Sequence, residues 1–176
     1  MFNKLYALPI YTYVLAFVIL IVFWIIISCV MYKYNKQKVW KIINLVLFVI
    51  SVILILTFTV FRRTPGSNSE VLLNPLTLFY RGREQPETYR SIFMNIELFI
   101  PFGMFLPYLF KSEKTSKVFL LTLLIGLACS VMVETIQFIF AFGQADTADV
   151  LCNVFGVFIG SLAYVTSTGV IRRINN

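Results

Sequence analysis

The chain has 176 residues, 59% of them hydrophobic and only 13% charged, with a mean hydropathy of +0.85. Soluble domains carry about a quarter charged residues, so this composition excludes an ordinary water-soluble fold. It allows about five membrane spans of ~20 residues with short connections, and leaves no length for a soluble domain. The net charge of +7 belongs to membrane flanks rather than to nucleic-acid binding, because lysines and arginines beside spans follow from the topology rule and from attraction to anionic lipid heads. Histidine is absent, which removes imidazole-based acid–base catalysis and every zinc motif that needs it.

In chain order, the first apolar run covers residues 10–31. Only Lys4 precedes it and no small-residue cleavage site follows, so it reads as a retained first span. Lys33, Lys36, Lys38 and Lys41 separate it from a second span at 42–61. A polar stretch at 62–90 holds a turn cluster at 64–68 and a short apolar piece at 71–80, broken by Asn74 and Pro75 and too short to span. The third run, 92–110, contains Asn95, Glu97, Pro101, Gly103 and Pro107, and predicts a proline-kinked or re-entrant helix. Spans four and five follow at 118–142 and 149–171. Cys29, Cys129 and Cys152 all fall inside apolar runs without metal or disulfide spacing, and read as small buried hydrophobes. The expected fold is a single all-α, polytopic membrane domain over residues 1–176.

With five spans, nine basic residues lie on one side of the membrane: the four lysines of the first connection, Lys111, Lys114 and Lys117, and Arg172 and Arg173. The other side has six, Lys4, Arg62, Arg63, Arg81, Arg83 and Arg90, and its tight connection at 143–148 has none. The positive-inside rule then favours an outer N-terminus and a cytoplasmic C-terminus.

In this topology the unusual polar residues converge on the outer side. Asn95 and Glu97 open the third span, Glu134 and Gln137 close the fourth, and Asp146, Asp149 and Asn153 open the fifth, with Arg62 at the end of the second. A charged side chain in hydrocarbon costs roughly 2.5–3.5 kcal/mol on insertion scales, so such residues are rare and usually functional. Glu134 and Gln137 share a helix face, as do Asp149, Asn153 and Gly156. Counted from the predicted span end at 142, Glu134 lies about 12 Å deep. Plainer roles stand beside the functional one. Asp146 serves equally as a helix N-cap. Glu134 can pair with Arg62 or Arg63, and the amides can act as interhelical hydrogen-bond glue. Gly156 and Gly160 form a GxxxG pattern that points to helix packing rather than to ligand contact.

These residues, in this order, resemble the VanZ-like family of small membrane proteins. The resemblance runs through NIELFIPFG at 95–103, ETIQ at 134–137, DTAD at 146–149 and NVFG at 153–156, with Arg62 and the NPLTLF piece at 74–79 in matching places. It covers a core of about 58–162. Two positions depart from the family pattern: Glu97 stands where an apolar residue is usual, and Gln144 replaces a frequent arginine. Both change the charge of the candidate site. The resemblance implies low-level resistance to teicoplanin and related lipoglycopeptides in Gram-positive bacteria, without remodelling of the cell-wall precursor. It implies membrane lipids as partners, together with lipid-linked cell-wall intermediates or the lipoglycopeptide itself; charge placement, cysteine spacing and the lack of histidine give no expectation of nucleic acid, cofactor or metal. A non-catalytic binding or accessory role is the leading reading, so no residue is assigned a catalytic part. Two others stay open. One is an enzyme acting on a lipid or isoprenoid phosphate, with arginines clamping phosphate and Asp146 and Asp149 holding Mg²⁺. The other is a small transporter with Glu134 as its titrating group, against which the confinement of polar groups to one leaflet argues.

Overall fold

A computed structural model of the protein describes residues 10–61, 71–72, 74, 87–111, 114–140 and 145–175. Five helices carry the fold: α1 (Ile10–Lys33), α2 (Gln37–Leu56), α3 (Glu87–Phe105), α4 (Thr115–Ile139) and α5 (Thr147–Asn175). A π-helical turn, Thr57–Phe61, extends α2, and a 3-10 turn, Leu106–Leu109, extends α3. All five are long and apolar enough to cross a membrane. The protein is a multi-pass helical membrane protein. The only strands among the described residues are two dipeptides, β1 (Val71–Leu72) and β2 (Ala145–Asp146), which pair in parallel.

The helices overrun the predicted spans mainly at their polar ends. α2 begins at Gln37 instead of 42, and α5 runs to Asn175 instead of 171. Hydropathy marks where a chain enters hydrocarbon, whereas a helix continues through its polar turns at the surface. α4 differs in the opposite sense. It ends at Ile139 rather than 142, with Phe140 leaving the helical region at φ −92°, ψ 8°. Glu134 is therefore five residues from the helix end, about 7.5 Å at 1.5 Å per residue and shallower than the sequence suggested.

The α1–α2 connection is a Schellman-type stop. Lys36 N–H donates to the Met31 carbonyl, Asn35 N–H donates to the Tyr32 carbonyl, and Asn35 adopts φ 55°. Asparagine tolerates this left-handed conformation better than most residues. The short turn makes α1 and α2 antiparallel neighbours. Two apolar cores follow. Near the lysine-rich end, Trp24 and Trp40 lie 4.4 Å apart between ring centroids and pack with Ile100, Met104 and Phe105. Toward the other end, Ile55, Phe99, Phe102, Val133 and Val157 form the second core. α3 contributes to both and is the most buried span, while α1 turns Leu15, Ile19, Phe23 and Ile26 outward, as lipid-facing residues must.

The most extensive contact is between α3 and α5, and small residues permit it. A Cβ at Gly156 would overlap the Ile96 carbonyl oxygen, one at Gly160 would overlap that of Ile100, and one at Gly103 would overlap that of Val157. These neighbours are backbone and cannot yield. Gly160→Ala is therefore expected to destabilise the protein by about 1–3 kcal/mol through overpacking. Gly169→Ala, in the same helix with nothing within 4 Å of its added Cβ, should be neutral or mildly stabilising. Thermal unfolding in detergent, followed by tryptophan fluorescence, separates the two; equal midpoints would contradict the packing role.

Candidate functional site

The α4 face that meets its neighbours carries Thr122, Gly126, Ser130, Glu134 and Gln137, all buried and spaced at three or four residues. Its small and polar groups let α4 approach α5 closely and hydrogen-bond across the interface. Gly126 faces the Val157 side chain. One turn further along, Asn153 Nδ2 donates to Ser130 Oγ at 2.9 Å. Beyond that, Glu134 Oε2 accepts the backbone N–H of Asp146 at 3.1 Å. Gln137 Nε2 reaches the other way and donates to the Thr59 carbonyl at 2.9 Å. Thr59 lies in the π-helical turn that extends α2.

Asp146 caps α5. Its Oδ1 accepts the N–H of Ala148, the second residue of the helix, at 2.9 Å. Asp149 is half-buried in the first turn of α5, where the helix dipole favours negative charge. The segment before α3 also returns to this end. Val71 and Leu72 pair with Ala145 and Asp146, and Thr147 Oγ1 donates to the Leu72 carbonyl at 3.0 Å. The ends of α2 and α4, the start of α5 and β1 are thus tied into one polar cluster.

Among the described residues, three buried amide atoms on these helices have no hydrogen-bond partner: Gln137 Oε1, Asn153 Oδ1 and Asn95 Nδ2. Buried polar atoms are nearly always paired; Trp24 Nε1, Trp40 Nε1 and Asn44 Oδ1, nearer the lysine-rich end, are unpaired among the described residues as well.

The predicted residues are therefore only partly assembled. Glu134, Gln137, Asp146 and Asn153 are linked by the hydrogen bonds above, with Asp149 in the same first turn of α5. Asn95 shares a face of α3 with Phe99 and Phe102, whose core includes Val133 and Val157 of α4 and α5. Glu97, two residues from Asn95, is rotated by about 200° around the helix, toward the face of Ile100 and Met104, which lie in the tryptophan core. Arg62 lies outside the described residues, as do Arg63 and Gln144. Gly156 and Gly160 abut the α3 backbone. Cys29, Cys129 and Cys152 are free and half-buried. Among the described residues, no group of three or more Cys, Asp or Glu stands close enough to hold a metal ion.

A sequence model of the VanZ/LLP1 family matches residues 12–171. The chain belongs to the VanZ/LLP1 family. Protein VanZ of Enterococcus faecium is 38% identical over 76 residues, covering 43% of this chain and 45% of that relative's length. The chain thus aligns with less than half of that protein. No solved structure matches. The family match takes in α1 and most of α5, beyond the motif-bearing stretch at 58–162.

Within this VanZ/LLP1 chain, three participants in the cluster escaped the sequence reading: Ser130, the Thr59 carbonyl and the β1–β2 pair. Ser130 had a signal, its position four residues before Glu134 on the same face. The other two depend on backbone geometry that hydropathy does not encode.

The cap and the carboxylate bridge give separable expectations. Asp146→Ala should lower stability by about 0.5–2 kcal/mol, whereas Asp146→Asn, which keeps the cap acceptor, should stay near wild type. Glu134→Ala removes the acceptor for a buried N–H and should cost about 1–3 kcal/mol, more than Glu134→Gln. Unfolding midpoints of the four variants check this, and a loss in Asp146→Asn equal to that in Asp146→Ala would show that charge rather than capping matters there.

Proposed function

We propose that this VanZ-like protein confers low-level resistance to teicoplanin and related lipoglycopeptides by binding or altering a lipid-linked component at the outer leaflet. The binding groups are Glu134, Gln137, Asp149 and Asn153, with Asn95 at the margin and Asp146 fixing the start of α5. The single observation that supports this most is the set of buried amide atoms without partners, Gln137 Oε1, Asn153 Oδ1 and Asn95 Nδ2, beside the Glu134 bridge. They supply two acceptors and one donor, a pattern suited to the amides and hydroxyls of a peptidoglycan precursor or a glycopeptide. The orientation belongs to the same proposal. Nine of fifteen basic residues flank the opposite end, which the positive-inside rule assigns to the cytoplasm, leaving the N-terminus and the cluster outside. Teicoplanin's acyl chain would concentrate it in the same leaflet. A lipid-linked precursor presented there could be shielded from the drug without any change in its peptide.

The test is the minimum inhibitory concentration of teicoplanin and vancomycin in a sensitive Gram-positive host expressing the chain. Teicoplanin tolerance should rise and vancomycin tolerance should not. Glu134→Ala should return teicoplanin tolerance to that of the host without the protein, and Gly169→Ala should leave it raised. Full protection by Glu134→Ala at equal membrane abundance would sink the site, and no rise with the wild-type chain would sink the function.

A further inference from the structure

The lysine-rich end of the bundle contains a cavity of about 590 Å³ that the proposed function does not use. We propose that it binds the headgroup of an anionic phospholipid. Lys38 and Lys41 from the first turns of α2, Lys111 after the 3-10 turn and Arg172 from the end of α5 all line it. The topology rule alone would place basic residues on this face, but it does not bring cations from three separate segments onto one cavity. No carboxylate is among the described lining residues.

The cavity is also structured. Tyr108 Oη lies 2.8 Å from Ser28 Oγ and 2.9 Å from Ser167 Oγ, so one phenol joins α1, the end of α3 and α5 at its floor. The Tyr108 ring stands edge-on to Trp40 at 5.8 Å and to Tyr164 at 5.2 Å. Trp40 lines the cavity and is only 7% exposed, yet its Nε1 donor has no partner. Arg172 is held in place by donating through Nη2 to Thr115 Oγ1 at 2.9 Å. Cationic groups around an aromatic wall, at the ends of membrane helices, match a phosphate joined to glycerol and the first acyl carbons. Guanidinium and ammonium groups take the phosphate oxygens, and the rings take the apolar part. A soluble anion would use the cations but not the rings. Basic pockets between helices on the cytoplasmic side suit such headgroups.

The experiment is thermal unfolding of the purified full-length protein in a neutral detergent, titrated with phosphatidylglycerol, phosphatidylcholine or inorganic phosphate. Phosphatidylglycerol should raise the midpoint by several degrees, and the other two should not. A rim variant with Lys38, Lys41, Lys111 and Arg172 all changed to Gln should lose the shift. A charge-matched variant with Lys33, Lys36, Lys117 and Arg173 changed to Gln, none of which line the cavity, should keep it. Should the rim variant fail to purify, Lys41→Gln and Arg172→Gln read the same effect singly, each weakening the lipid response roughly fivefold. Equal losses in the rim and charge-matched variants would reduce the effect to surface attraction and overturn the proposal. An equal shift from inorganic phosphate or from phosphatidylcholine would also overturn it.

Discussion

The carbonyl oxygens of Ile96 and Ile100 occupy the space that side chains at positions 156 and 160 would need, so α3 and α5 can pack as they do only with glycine at both. Lipid tails are as apolar as leucine, and helices in a bilayer gain little by hiding apolar surface from them. Association rests instead on close backbone approach, dispersion and hydrogen bonds. Gly103 extends the same contact from the other side, against Val157. With α3 and α5 this close, their Cα–H groups and carbonyls approach each other along two helical turns, a weak attraction repeated at each step.

That contact also sets α4. Val157, pinned against Gly103, presents its methyl groups to Gly126. From there each step of four residues along α4 matches a step of four back along α5. Ser130 meets Asn153 through a hydrogen bond, and the next step brings Glu134 level with the first turn of α5. The Glu134 bond to the Asp146 N–H fits this antiparallel register, as the last rung of a ladder that begins with glycine packing. Glu134 thereby joins Asp146 and Asp149 at the helix end whose dipole is positive. Local sequence puts the two aspartates there, and register adds the glutamate.

The five spans were legible because hydrocarbon demands ~20 apolar residues per crossing, a constraint written directly into composition. The GxxxG pattern was legible for a similar reason, since only glycine meets the steric demand. Partners were harder to read. Gln137 is bonded to a carbonyl 78 residues away, in a π-helical turn that no residue pattern announced. Asn95 and Glu97 read as one site because both fall in the first turns of the third span, yet helix rotation points them to different faces. The lysines and Arg172 were legible as a topology signal, but the tyrosine and serines beneath them come from three helices and converge only in the folded chain.

For the proposed function, depth decides what sort of molecule the polar cluster would suit. At the bilayer centre, unpaired amide oxygens on Gln137 and Asn153 would face a medium with nothing to offer them, and each such group costs several kcal/mol. Glu134 is instead about 7.5 Å from the end of α4, and the amides step around it by one turn in either direction. That keeps the cluster close to one end of the helices, while the outward sides of α1, α2 and α4 stay apolar. A fully soluble molecule would have to leave water to reach this depth, and a fully apolar one would leave the amides and carboxylates unsatisfied. An amphiphile would meet both conditions, and the lipid-linked ligand of the proposed function is one.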